Sequence, residues 1–205
     1  RALDLNPGLA DASHGFAMCN LAPRGRFEEA VAQMRRAREL DPVSPFVASC
    51  LGWALYLADR REEAAEQYGK ALELDPSFWM AHWQLGMTAC LEGKWEEGIA
   101  AIQRAREFSG RSVLTLGGLG WAYGLAGRRD EAQRVLEEFQ ELATNGRGPA
   151  TSAAQAHLGL GDHDHALELL EKAYEQRGGQ LYWIGVTPQY APIRSDPRFQ
   201  ALLRK

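Results

Sequence analysis

A chain of 205 residues with a net charge of -4 and both signs interspersed has no basic field to attract nucleic acid, so direct nucleic-acid binding is excluded as an expectation. Its three cysteines, Cys19, Cys50 and Cys90, are odd in number and form no CxxC pair, which argues against a disulfide framework or a thiolate metal centre and fits a reducing, cytoplasmic compartment. No run of about 18 apolar residues and no signal peptide stands in the sequence, so no membrane association is expected.

In chain order, the first seven residues, RALDLNP, read as the end of a helix that begins upstream, and the chain is therefore expected to be a piece of a longer protein. Ala, Leu, Glu and Arg dominate the rest of the chain, and no Val/Ile/Thr-rich stretch alternates with period two, so the fold class is all-α. Five helix pairs are expected, over 8–42, 43–76, 77–110, 111–146 and 147–179. Residues 180–205 break the pattern and read as a cap, in which Ser195-Asp196-Pro197 starts a helix whose apolar stripe is Phe199, Leu202 and Leu203.

The pairs repeat at a fixed interval. Ala30, Ala64, Gly98, Ala132 and Ala166 fall 34 residues apart, each closing a charged turn: GRFEEA, DRREEA, GKWEEG, GRRDEA and GDHDHA. Between Pro7 and Pro42 the interval is 35, and the extra residue is expected in the turn around Pro23. Two antiparallel helices approach closely only where side chains are small, so Gly52 and Gly86 on the first helix of a pair are expected against Ala64 and Gly98 on the second. The second helices open with acids, as in Glu28-Glu29 and Glu62-Glu63, matching the positive end of the helix dipole. The Asp-Pro steps at Pro42 and Pro76 stop them.

These residues resemble the tetratricopeptide (TPR) pattern, with Leu51, Gly52, Ala64, Tyr68, Ala71 and Pro76 carrying it in the second pair. The resemblance implies a right-handed α-solenoid whose first helices line a concave, partner-binding face. The tail from Tyr190 to Gln200, YAPIRSDPRFQ, is similar to the end of a group of bacterial TPR proteins. In that group a TPR array is the regulatory half of a protein with a DNA-binding, cyclase or kinase effector.

At the groove offsets the resemblance marks stand Met18, Phe46, Trp53, Tyr56, Met80, Trp83, Met87 and Trp121. Aromatic and Met side chains suit an apolar peptide or amphipathic helix, so the expected partner is a protein or peptide with an apolar segment. The same stripe also suits packing against neighbouring helices or the tail from Leu181 to Ile193, pairing of two copies as a homodimer, or a small-molecule pocket. Lys, Arg and Asn are missing from these offsets, which argues against capture of a C-terminal carboxylate.

No catalytic constellation is visible and no cofactor is expected. Gly118, Gly120 and Gly124 give GxGxxxG with no preceding strand, which fails as a dinucleotide loop. His157, His163 and His165 with Asp162 and Asp164 sit where the other repeats carry Arg, Lys and Glu, and the group reads as a solvated turn, not a metal site. The expected function is that of a non-enzymatic interaction module.

Overall fold

The computed structural model describes residues 10–144, 150–177 and 181–204. The expected helix end at 1–7 and the junctions at 145–149 and 178–180 lie outside them. Among the described residues there is no strand, and the helices succeed one another as antiparallel pairs in a right-handed α-solenoid. The first helices of the pairs are α1 (Ala10–Phe16), α3 (Pro45–Leu57), α5 (Trp79–Leu91), α7 (Val113–Leu125) and α9 (Ala150–Gly159). Their partners are α2 (Phe27–Leu40), α4 (Arg61–Leu74), α6 (Trp95–Phe108), α8 (Arg129–Thr144) and α10 (His163–Glu175). The C-terminal segment adds α11 (Leu181–Ile184), a 3₁₀ turn over Pro188–Ile193 and α12 (Pro197–Leu203).

One turn joins the helices of every pair. Each turn holds one residue in a left-handed conformation, Gly25, Asp59, Gly93, Gly127 or Gly161. The residue after that sends its N–H back to the helix: Arg26 to Leu21 O at 3.1 Å, Arg60 to Leu55 O at 2.9 Å, Lys94 to Ala89 O at 3.0 Å, Arg128 to Tyr123 O at 2.9 Å and Asp162 to His157 O at 3.0 Å. This is the Schellman closure, in which a left-handed residue lets the chain reverse while the last carbonyls of the helix stay bonded. The extra residue of the first repeat lies just before that turn. The end of the first helix widens into a π turn over Ala17–Leu21, which absorbs one residue and leaves the turn itself unchanged.

Small residues set the helix spacing. A Cβ on Gly86 would stand 2.7 Å from Gly98 O, and one on Gly52 would enter the Tyr68 ring. The glycine run of α7 has the same cause: Gly117 abuts Ser152 of α9, Gly118 makes room for the Trp83 indole and Gly120 meets Ala156. Those glycines pack helices and cradle no phosphate.

The two kinds of helix differ in burial. The second helices are amphipathic: in α6 only Gly98, Ile99, Ile102 and Ala105 are buried. In α3 every residue from Val47 to Leu57 is buried. A first helix is flanked by its partner and by the preceding and following first helices. In the middle of the array it also lies beneath the C-terminal segment.

Asp196 caps α12 by accepting a hydrogen bond from Arg198 N at 2.7 Å, and Pro197 fills its first position. Phe199 and Leu202 enter the core of the last two repeats, where Phe199 stacks on Tyr190 with centroids 6.3 Å apart. No helix among the described residues is long and apolar enough to cross a membrane.

Candidate functional site

Residues of α1, of the π turn after it, of α3 and of α5 come together around one cavity. His14 and Met18 lie in the first repeat, Phe46, Cys50 and Trp53 on α3, and Trp79, Met80 and Trp83 on α5; together they form one wall of a mainly apolar cavity of about 350 Å³. The C-terminal segment forms the other wall with Tyr182, Trp183, Thr187 and Gln189. Four of the six tryptophans of the chain line this space.

Ring contacts hold the walls. Trp53 stacks on Tyr56 at 4.9 Å, leans on Trp83 at 5.9 Å and meets Trp183 of the tail edge-on at 6.2 Å. Such offset and edge geometries place the positive rim of one ring against the negative face of another. His14 meets Phe46 edge-on at 4.8 Å, and burial lowers its pKa against the pull of Asp11, favouring the neutral imidazole.

A few polar groups sit inside this apolar surround. Ser49 donates to Gln84 Oε1 between α3 and α5. Gln189 of the tail donates through Nε2 to the Tyr56 hydroxyl at 3.1 Å, joining residues 133 positions apart in the chain. Burial raises the pKa of Tyr56 far above that of an ordinary phenol, and the Gln189 hydrogen bond only partly opposes the rise, so Tyr56 stays a neutral hydroxyl. The Cys50 thiol is pushed up to about 12 by burial, which keeps it protonated and poorly nucleophilic. Two buried atoms of this site, Trp83 Nε1 and Gln189 Oε1, have no hydrogen-bond partner among the described residues.

Of the eight residues marked in the sequence, Met18, Phe46, Trp53, Met80 and Trp83 line the cavity. Tyr56, Met87 and Trp121 are buried, with 2%, 0% and 3% of their surface exposed, and do not line it. The division follows the repeat more than the place on the helix: Met18, Trp53, Met87 and Trp121 share one repeat position, yet Met18 and Trp53 line the cavity while Met87 lies under Gly118 of α7 and Trp121 against Gly159 of α9. Tyr56 is covered by Gln189 of the tail. Trp79, Tyr182, Trp183 and Gln189 join the site without having been marked. Trp79 falls one residue ahead of a groove offset, and the other three belong to a tail that lies outside the repeat, so periodicity carries no signal for them.

Two models of the tetratricopeptide repeat match the sequence, one over residues 45–78 and the other over 113–138 and 148–172. The matched stretches coincide with α3 and α4, α7 and α8, and α9 and α10. These three stretches match the tetratricopeptide repeat. Solved TPR structures share the fold at low sequence identity. A thermophilic TPR protein from Thermus thermophilus is 20% identical, with 96% of this chain and all of that one covered and a TM-score of 0.67. The pilF protein of Pseudomonas aeruginosa is 21% identical over 95% of this chain and 96% of its own, with a TM-score of 0.58. YrrB, a TPR protein with an unusual peptide-binding site, is 22% identical over 88% of this chain and 93% of its own, with a TM-score of 0.50. No curated protein sequence matches the chain.

Proposed function

We propose that this TPR array binds an apolar peptide or helix of a protein partner at the cavity between α1, α3, α5 and the C-terminal segment, as the non-catalytic regulatory half of a larger bacterial signalling protein in the cytoplasm. The observation that carries the binding reading is the wall itself. Phe46, Met80 and Trp83 remain partly exposed beside buried Trp53 and Met18, so a ready-made apolar anchor site adjoins a rigid aromatic support. TPR repeats are protein-interaction scaffolds, and YrrB, which shares the fold, has a peptide-binding site. The tail-derived signature supports the regulatory role by resemblance.

The enclosing tail favours a second reading, a small apolar ligand held between Trp83 and Trp183, with the unpaired Gln189 Oε1 as its polar handle. Selection from a phage-displayed random peptide library on the immobilised chain separates the two. The expected result is enrichment of peptides with spaced aromatic or aliphatic anchors, whose affinity drops about tenfold or more in Phe46→Ala and Trp83→Ala. No enrichment, or binding indifferent to both substitutions, removes the peptide reading.

A further inference from the structure

The turn of the fifth repeat reverses the charge pattern of the others. At the position that carries Arg26, Arg60, Lys94 and Arg128 stands Asp162, and at the position of Glu29, Glu63, Glu97 and Glu131 stands His165. Arg60–Glu63 and Arg128–Glu131 bridge the start of the second helix in their repeats, so a structural clasp there needs no histidine. A third change accompanies the reversal. The Schellman turn places the residue six-to-one bonded to Asp162 beside it, and in this repeat that residue is His157, where the fourth repeat has Tyr123 under the Arg128 guanidinium.

Three ligand atoms therefore converge by local geometry alone. His157 Nδ1 lies 3.0 Å from Asp162 Oδ2, and His165 Nδ1 lies 2.8 Å from the same oxygen. The three donors lie within 4.8 Å of one another, and the imidazoles stack at 5.3 Å with 24° between their planes. An ion about 2.0–2.2 Å from each donor requires donors about 3–4 Å apart, so a small closure of the set completes the triangle. Its open side faces the cleft of about 920 Å³ between α8, α9 and α10, where Arg129 and Lys172 are balanced by Asp130 and Glu168.

We propose that His157, Asp162 and His165 form a binding site for a divalent transition-metal ion of the zinc type, with the remaining coordination positions open to the cleft. Binding needs each imidazole neutral, with Nδ1 on the ion and its one proton on Nε2, so an imidazolium must first release a proton to solvent and binding strengthens with rising pH. The site ties the last turn of α9 to the first turn of α10, in the repeat that carries the C-terminal segment.

Equilibrium dialysis of the full chain against zinc chloride at neutral pH tests the assignment. One saturable equivalent is expected, with the ¹⁵N resonances of His157 and His165 shifting at Nδ1. It is expected to persist in Cys19→Ser and His163→Ala, and to vanish in His165→Ala, whose side chain is 65% exposed and whose loss leaves the core intact. The double variant Asp162→Arg with His165→Glu installs the ion pair of the other repeats. It should keep the helical circular dichroism while losing the ion. No saturable equivalent in the unaltered chain, or an equivalent that survives in the double variant, overturns the proposal.

Discussion

Asp59 and Gly161 occupy the same left-handed step of the inter-helix turn, and the difference between them shows what a single position demands of its side chain. Glycine adopts that conformation freely, whereas Asp59 holds φ at 59° with its carboxylate turned to Arg61 at 2.9 Å. Close approach makes a separate demand. A Cβ on Gly159 would fall on the backbone of Trp121, while one on Gly69 meets nothing within 4 Å. The same Gly→Ala change is thus expected to destabilise the fold by at least about 2 kcal/mol at Gly159 through overpacking, and to stabilise it by about 0.5–1 kcal/mol at Gly69 by restricting the unfolded chain. Urea denaturation of the two variants checks both signs.

The Asp162 group predicts a pH dependence in the metal-free chain. The carboxylate is pushed up by burial, but its hydrogen bonds from His165 and His157 win and hold it below the ordinary Asp value. Asp162 itself raises His165, first by accepting its hydrogen bond and then by its charge. A raised histidine contributes stability that is fully present below its unfolded pKa and is lost as pH climbs through the folded one. The gap in urea midpoint between the unaltered chain and His165→Ala, measured with a chelator, is therefore expected to be wider near pH 6 than near pH 8.5.

At the scale of elements, α12 shows how seven residues become indispensable. Its cap and its proline start the helix, and Phe199 then enters the core with no exposed surface. Phe199→Ala removes a ring that the surrounding helices cannot replace, at an expected cost of about 3–5 kcal/mol. Thermal unfolding followed by circular dichroism reads the loss. The paired helices divide the work differently. In α2, α6 and α10 a narrow apolar stripe faces the core and the charged remainder meets water, so their orientation follows from pattern alone. In α3 and α7 apolar residues run all the way round, and pattern alone cannot say which of them meet a partner and which meet a neighbour.

On the scale of the molecule, the C-terminal segment both packs on the last repeats and forms one wall of the cavity at the first three. Ile184, Tyr190 and Ile193 belong to the core of the last repeats, while Trp183 and Gln189 reach back to Trp53 and Tyr56 in the second. A chain ending at 177 is expected to remain helical over the first repeats, to unfold at lower urea, and to bind a hydrophobic dye such as ANS through the uncovered Trp53 and Tyr56 surface. Unchanged dye fluorescence would show that the segment covers little.

The 34-residue recurrence of Gly52, Gly86 and Gly120 and of Ala64, Gly98 and Ala132 was enough by itself to define the all-helical class, the pairing of helices and the turns between them. Those features depend on neighbours close in sequence and on side-chain size. Five of the eight residues marked for the groove line the cavity, because a fixed period brings equivalent positions of neighbouring first helices together. Only the tertiary structure decided that Tyr56, Met87 and Trp121 are covered, that Trp183 and Gln189 complete the site, and that His157 meets Asp162 and His165. The cover over Tyr56 and the closing of the cavity follow from a tail folding back across more than a hundred residues, a contact that no repeat encodes, whereas Met87 and Trp121 are covered by the next first helix. The meeting of His157 with Asp162 and His165 follows from a reversal in the backbone that brings together side chains lying on two different helices.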